Sequence, residues 1–133
     1  MGISLGQRFY NIDGFDLDMG EGHLLAYYQR KCPLFNRINP YLAKLQNEVY
    51  GNWIIDVGAN VGDTLASMVK HTKAGFLCIE PTEEYYELLS NNVANIIVGS
   101  NNIVRLERSY VTINTDLRYK SKVSDGGRQL WFH

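Results

Sequence analysis

The sequence predicts an α/β fold with a parallel sheet, and two observations support this. The first is an apolar run, residues 53–57, that suits a strand covered on both faces and leads through Gly58 and Gly62 into a helical pattern. The second is a further apolar run, residues 76–79, which ends in Glu80, 18 residues after Gly62. Strand, glycine turn, helix and strand in this order predict a βαβ unit of the type that holds nucleotide-like cofactors.

A β-hairpin and a helix are expected first along the chain. Residues 8–12 and 15–17 flank Asp13-Gly14, a pair typical of a two-residue hairpin turn. Residues 22–30 carry leucines and tyrosines that can form one apolar helix face. The hairpin is predicted to form a cap. This helix and the one that follows it are predicted to cover the edge of the sheet or to close over the cofactor.

A second helix is expected just before the apolar run at residue 53. Asn39 suits the N-cap position and Pro40 the first helical position. Tyr41, Leu42 and Leu45 are then expected to face inward.

Further helices and strands are expected after the glycine turn. Leu65, Met68 and Val69 recur at helical spacing, and Gly75 is expected to end that helix. Thr82 is expected to cap the next helix. The apolar stripe of that helix comprises Tyr86, Leu89, Val93, Ile96 and Ile97.

The last expected elements are extended. Residues 103–108 predict a third, less buried strand, and residues 129–132 predict a final extended segment after the turn-rich residues 125–127.

The charge of the glycine turn bears on which cofactor it holds. A dinucleotide site places a pyrophosphate at the helix N-terminus and follows Gly-x-Gly-x-x-Gly, but the matching positions counted from Gly58 are Asn60 and Asp63. A carboxylate disfavours a nearby diphosphate because like charges repel. S-adenosyl-L-methionine (SAM) has no phosphate and carries an ammonium and a sulfonium group. Acids at Asp56 and Asp63 therefore suit SAM better than a dinucleotide.

These residues also resemble a known family. Two segments are similar to the first two motifs of FkbM-type SAM-dependent methyltransferases: Ile55-Asp56-Val57-Gly58-Ala59-Asn60-Val61-Gly62-Asp63-Thr64 and Cys78-Ile79-Glu80-Pro81. The resemblance implies a Rossmann-like SAM-dependent methyltransferase fold, in which residues 56–62 line the methionine part of SAM and Glu80 binds the ribose. It also implies O-methylation of a sugar or small-molecule hydroxyl. The cofactor-binding residues expected on this basis are Asp56, Gly58, Ala59, Asn60, Gly62, Asp63, Thr64, Glu80 and Pro81.

Each of these candidates also has a purely structural interpretation. Gly58 and Gly62 can serve close packing of a strand on a helix, and Asn60 tolerates left-handed backbone. Asp56 and Glu80 can cap a turn or a helix. Three classes of function therefore stay open: a SAM-dependent methyltransferase, an NAD-dependent oxidoreductase, and a non-catalytic fragment or association module.

The length of the chain limits the fold that is expected. A methyltransferase sheet has about seven strands, whereas only three central strands are identified in these 133 residues. The later Asp-x-Glu-Gly-like motif associated with the substrate side in this family is absent. Residues 1–50 are therefore expected to form a cap, and residues 51–133 a partial SAM-binding domain without methyl transfer of its own. An uncovered sheet edge is expected to favour homo-oligomers.

Composition excludes several other classes. Thirteen basic and fourteen acidic residues give a net charge of −1, which offers no field for nucleic acid. No apolar run reaches about 18 residues and no signal peptide is present, so no membrane contact and a cytoplasmic location are expected. Cys32 and Cys78 are isolated, and His23, His71 and His133 lack metal-ligand spacing and are expected at the surface or at helix ends. No metal and no catalytic base are assigned.

Overall fold

The protein folds around a central parallel sheet, and the structure, a computed structural model, describes residues 8–49, 52–113, 119–124 and 127–132. The strands are β1 (Phe9–Ile12), β2 (Phe15–Asp18), β3 (Trp53–Val57), β4 (Gly75–Ile79), β5 (Val104–Glu107), β6 (Tyr119–Ser124) and β7 (Gly127–Phe132). The helices are α1 (Leu25–Lys31), α2 (Asn39–Val49), α3 (Asp63–Met68) and α4 (Glu83–Ile97), and a 3₁₀ turn over Val69–His71 follows α3. The predicted α/β class is confirmed.

Strands β3, β4 and β5 form the parallel sheet in that order, with β4 at its centre. Ile54 lies opposite Phe76, and Asp56 lies opposite Cys78. Since α3 joins β3 to β4 and α4 joins β4 to β5, the chain contains two successive βαβ units. The carboxyl ends of the strands meet at one edge of the sheet, where the glycine turn and Glu80 lie.

The expectation that β3 is covered on both faces is wrong. Ile54 and Asp56 are partly buried, whereas Ile55 and Val57 are 62% and 60% exposed. The core lies on the face that carries Phe76 and Cys78, and on the opposite face the β3 side chains of Trp53, Ile55 and Val57 are exposed. Within the described sheet, β3 is also an edge strand.

This bare face and edge lead to a prediction about self-association. Exposed apolar surface beside an unpaired strand edge favours pairing with another chain, and lysine at such an edge opposes it. We expect wild-type protein to sediment as a concentration-dependent oligomer, and an Ile55→Lys/Val57→Lys variant to associate at least about tenfold more weakly. Sedimentation velocity over a range of concentrations measures this. Ile97→Lys/Val98→Lys, which adds the same two charges at exposed positions beyond the sheet, is the control. A wild-type protein that stays monomeric throughout contradicts the prediction.

The N-terminal hairpin is confirmed. β1 and β2 pair antiparallel with Ile12 opposite Phe15. Asp13 and Gly14 between them both have positive φ, 51° and 88°. This is the backbone that an Asp-Gly hairpin turn requires.

Helix α2 forms as predicted, but it faces the core with a different side. Tyr41, Leu42 and Leu45 are 71%, 45% and 52% exposed, which corrects the expectation that they face inward. Ala43 is fully buried instead. Helix α2 packs along α3, and a small side chain at the contact lets two helices approach closely.

The C-terminal part of the described chain is a second hairpin. β6 and β7 pair antiparallel with each other, so the predicted extended segment at residues 129–132 is confirmed as part of β7. Residues 125 and 126 of the predicted turn lie outside the described residues. Across the described ranges, no helix has the length and apolar character needed to cross a membrane.

Candidate functional site

Left-handed backbone shapes the glycine turn at three positions. Gly58, Asn60 and Gly62 have φ of 80°, 50° and 91°. A Cβ at Gly62 would lie 3.1 Å from Cδ1 of Leu89, whereas one at Gly58 would meet nothing within 4 Å. Gly62 therefore serves both conformation and close packing, while Gly58 is needed for its conformation alone.

The backbone amides of the turn already have acceptors within the protein. Gly58 and Ala59 both donate to the carbonyl oxygen of Ile79, at 2.8 and 2.9 Å. Asn60 donates its backbone N–H to Oε2 of Glu80 at 2.9 Å. These bonds tie the end of β3 to the end of β4, and they use donors that a phosphate-binding turn would direct at its ligand.

The N-terminus of α3 is occupied by its own first side chain. The Asp63 carboxylate accepts hydrogen bonds from its own amide and from that of Thr64, and Nδ2 of Asn36 donates to its Oδ2 at 3.0 Å. Burial raises the pKa of Asp63, while these hydrogen bonds act in the opposite direction. A carboxylate thus stands where a dinucleotide would place its pyrophosphate, which disfavours an NAD-type site.

Glu80 joins the glycine turn to the start of α4. Its buried carboxylate accepts the Asn60 amide on Oε2, and the Thr82 amide and hydroxyl on Oε1, at 2.9 and 2.7 Å. Thr82 occupies the N-cap position of α4 as expected, but its hydroxyl bonds Glu80 and not an amide of the helix. A carboxylate has about four acceptor positions. The three donors within the protein leave one acceptor position of Glu80 for a further donor, such as a ribose hydroxyl.

Asp56 at the end of β3 is the least satisfied polar group of the site. Its Oδ2 is buried and has no hydrogen-bond partner among the described residues, although the Thr64 side chain bonds the carboxyl group. Burial raises the pKa of Asp56 to about 6, and the negative charges of Asp63 and Glu80 contribute in the same direction. A buried, unpaired carboxylate oxygen among other acids suits a cationic ligand group.

His23 contacts the glycine turn, which sequence reasoning missed. The Leu25 amide donates to its Nδ1 at 3.1 Å, so Nδ1 is the acceptor and the ring proton lies on Nε2. Nε2 then donates to Oδ1 of Asn60 at 2.8 Å. His23 is buried, so it is not a surface residue, but it lies at the start of α1, in agreement with the expected helix end. Because the contact joins residues 37 positions apart, no local pattern signals it.

Asn92 is a second residue that the sequence analysis missed. It is fully buried on α4, where its Nδ2 donates to the carbonyl oxygens of Asp18 and Val61 at 2.9 and 2.8 Å. Its Oδ1 accepts the Asp18 amide at 2.8 Å. The side chain thus holds the hairpin, the glycine turn and α4 together. A signal was present, because this polar residue lies within the apolar stripe between Leu89 and Val93.

The structure brings the predicted cofactor-binding residues to one edge of the sheet. Asp56 ends β3, residues 58–64 form the turn and the start of α3, and Glu80 and Pro81 follow β4. Their contacts with a cofactor stay predictions. His71 lies apart from this edge and pairs with Asp13 at 3.0 Å. In the described ranges, no cluster of three or more histidine, cysteine or acidic residues is placed to hold a metal ion.

Comparison with known proteins gives one weak likeness. No family model matches the chain, and no curated protein matches it. The solved structure of the plantazolicin methyltransferase BpumL in complex with SAH is similar, with a TM-score of 0.44 and 14% sequence identity. The likeness covers 68% of this chain and 35% of that chain, so this chain spans about a third of the length of BpumL. At this score and identity the likeness assigns neither family nor cofactor, and the resemblance to FkbM-type enzymes stays a prediction.

Proposed function

We propose that this chain is the SAM-binding part of an FkbM-type methyltransferase that acts on a sugar or small-molecule hydroxyl. The observation that carries the proposal is an acidic turn whose amides are bonded within the protein. Gly58, Ala59 and Asn60 donate to β4 and Glu80, and the Asp63 carboxylate accepts amides at the start of α3. Such a turn offers little to a phosphate and favours a cofactor with a positive charge and no phosphate.

Three parts of SAM match groups in this turn. The ammonium group suits the unpaired Oδ2 of Asp56, since pairing removes the cost of a buried, unsatisfied carboxylate. The ribose suits the remaining acceptor position of Glu80. The open space beside Gly58 leaves room for the methionine part. SAM, when bound, supplies an activated methyl group.

A non-catalytic association module is the second candidate, and the bare face of β3 favours it. Ile55 and Val57 are exposed there beside an unpaired edge. A chain that uses its sheet only for assembly needs no cofactor affinity, so ligand binding separates the two candidates.

Calorimetric titration of the purified chain with SAH, the demethylated product of SAM, and with NADH tests the proposal. We expect SAH to bind at least about tenfold more tightly than NADH, because a diphosphate meets carboxylates and few available amides. Gly58→Val should abolish SAH binding, since a β-branched residue does not adopt a φ of 80° without strain.

The matched control is Gly99→Val. A Cβ at Gly99 meets nothing within 4 Å, and no positive φ is needed there. This variant should bind SAH like the wild type. Equal or tighter NADH binding contradicts the proposal in favour of an oxidoreductase, and binding of neither ligand favours the association module.

A further inference from the structure

A cleft of about 590 Å³ lies between the N-terminal hairpin, α1, the connection to α2, and α3. The hairpin, α1 and the connection contribute most of its polar lining. The lining groups that matter for its chemistry are Tyr10, Asp13, Gln29, Arg30, Asn36 and Arg37.

The charges of the cleft are unbalanced. Arg30 and Arg37 are exposed, and neither guanidinium forms a hydrogen bond or an ion pair with another described residue. Asp13 is the acidic residue of the lining, and its Oδ2 pairs with Nε2 of His71 at 3.0 Å. Two cationic groups that pair with no described residue therefore line a cleft whose carboxylate is already paired.

The neutral groups of the cleft add donors. The Tyr10 hydroxyl donates to Oε1 of Gln29 at 2.6 Å, which uses the amide oxygen and leaves the Gln29 NH₂ group to donate. Arginine provides planar, paired donors that match a carboxylate or a phosphate. The lining is thus donor-rich and positive, the opposite of the acidic glycine turn.

The cleft is connected to the candidate cofactor site through one side chain. Asn36 lines the cleft and donates its Nδ2 to Oδ2 of Asp63 at the start of α3. A molecule held in the cleft therefore lies next to the element that follows the glycine turn.

We propose that this cleft binds the anionic group, a carboxylate or a phosphate, of a hydroxylated small molecule, with Arg30 and Arg37 as its charged partners. On the proposed function, which this inference deepens, that molecule is the methyl acceptor. Acidic sugars and sugar phosphates are then preferred over neutral sugars.

Calorimetry of the full chain with glucose 6-phosphate, glucuronate and neutral glucose tests the inference. At least one of the two anionic sugars is expected to bind at least about tenfold more tightly than glucose, since each hydrogen bond to a charged group adds affinity. The two anionic sugars distinguish a phosphate preference from a carboxylate preference. In an Arg30→Gln/Arg37→Gln variant this binding falls about tenfold or more.

The matched control is Lys31→Gln/Arg105→Gln, which removes the same charge. Lys31 follows Arg30 on α1 but lies by the Tyr27 ring, and Arg105 lies over Trp53 on the bare sheet face. This variant is expected to keep wild-type affinity. Equal binding of glucose, no binding of either anionic sugar, or equal losses in the two double variants overturns the inference.

The same titrations with SAH keep the inference separate from the proposed function. Anion binding that depends on Arg30 and Arg37, in a chain that does not bind SAH, supports the anion site and overturns the methyltransferase proposal. SAH binding in a chain that binds anionic sugars no more tightly than glucose supports the methyltransferase proposal and overturns the anion site.

Discussion

Replacing Asp56 by asparagine should abolish SAH binding and make the ligand-free protein more stable at neutral pH. The carboxylate that suits the ammonium group of the cofactor is buried, and its Oδ2 has no partner among the described residues. Asparagine keeps an oxygen that can accept the Thr64 bond but removes the charge. Affinity is lost because the ammonium no longer meets an opposite charge, while the ligand-free protein is relieved of a buried carboxylate.

The pH dependence of stability follows from the pKa of Asp56. Burial raises it from 3.8 to about 6 in the folded protein, so the folded state binds the proton more tightly than the unfolded chain. The free energy of unfolding therefore falls as pH rises from about 4 to about 6. Above that range Asp56 is fully charged, and its destabilising effect no longer increases. The shift corresponds to at most about 3 kcal/mol. Asp56→Asn should recover about 1–3 kcal/mol at pH 8 and almost nothing at pH 4.

Urea unfolding at pH 4 and pH 8 measures this difference, and calorimetry with SAH measures the affinity. In wild-type protein the affinity for SAH should fall as pH decreases below about 6, because protonation removes the charge of Asp56. Asp16→Asn is the control, since Asp16 is an exposed acid on β2 whose carboxylate accepts a bond from Asn11. An Asp56→Asn variant that is less stable than the wild type at pH 8, or that binds SAH normally, contradicts the prediction.

Glu80→Ala should have the largest effect on stability among changes at the site. It removes the acceptor of three donors, the amides of Asn60 and Thr82 and the Thr82 hydroxyl, in a buried environment. Each buried donor left unsatisfied costs about 1–3 kcal/mol, so we expect a loss of about 3 kcal/mol or more in the free energy of unfolding. Affinity for SAH should also fall by about 1.5–3 kcal/mol through loss of the ribose contact.

Urea unfolding measures the free energy of unfolding, and calorimetry measures the affinity for SAH. Glu87→Ala, an exposed glutamate on α4, controls for the loss of a carboxylate and should change neither. A destabilised Glu80→Ala protein with wild-type affinity for SAH would assign Glu80 a structural role only. Unchanged stability would contradict the importance of the three hydrogen bonds.

The sequence by itself determined the elements whose signals are local. The Asp13-Gly14 hairpin and the turn through Gly58 and Gly62 need positive φ, and residues that tolerate it occupy those positions. Leu65, Met68 and Val69 are buried as their spacing predicts. Such signals depend on residues a few positions apart, whose backbone preferences and spacing are visible in the sequence.

The tertiary structure decided which faces are covered and how the site is connected. The alternating exposure of β3 and the outward side of α2 depend on which elements pack against them. Ile55 and Leu42 are apolar, and the sequence alone does not show whether another element covers them. His23 and Asn92 reach the turn across 37 and 31 residues, so their roles depend on chain topology. The unpaired oxygen of Asp56 also arises only when distant segments exclude water and place their own donors elsewhere. Burial and long-range hydrogen bonding are properties of the assembled chain, because they depend on neighbours that only folding brings together.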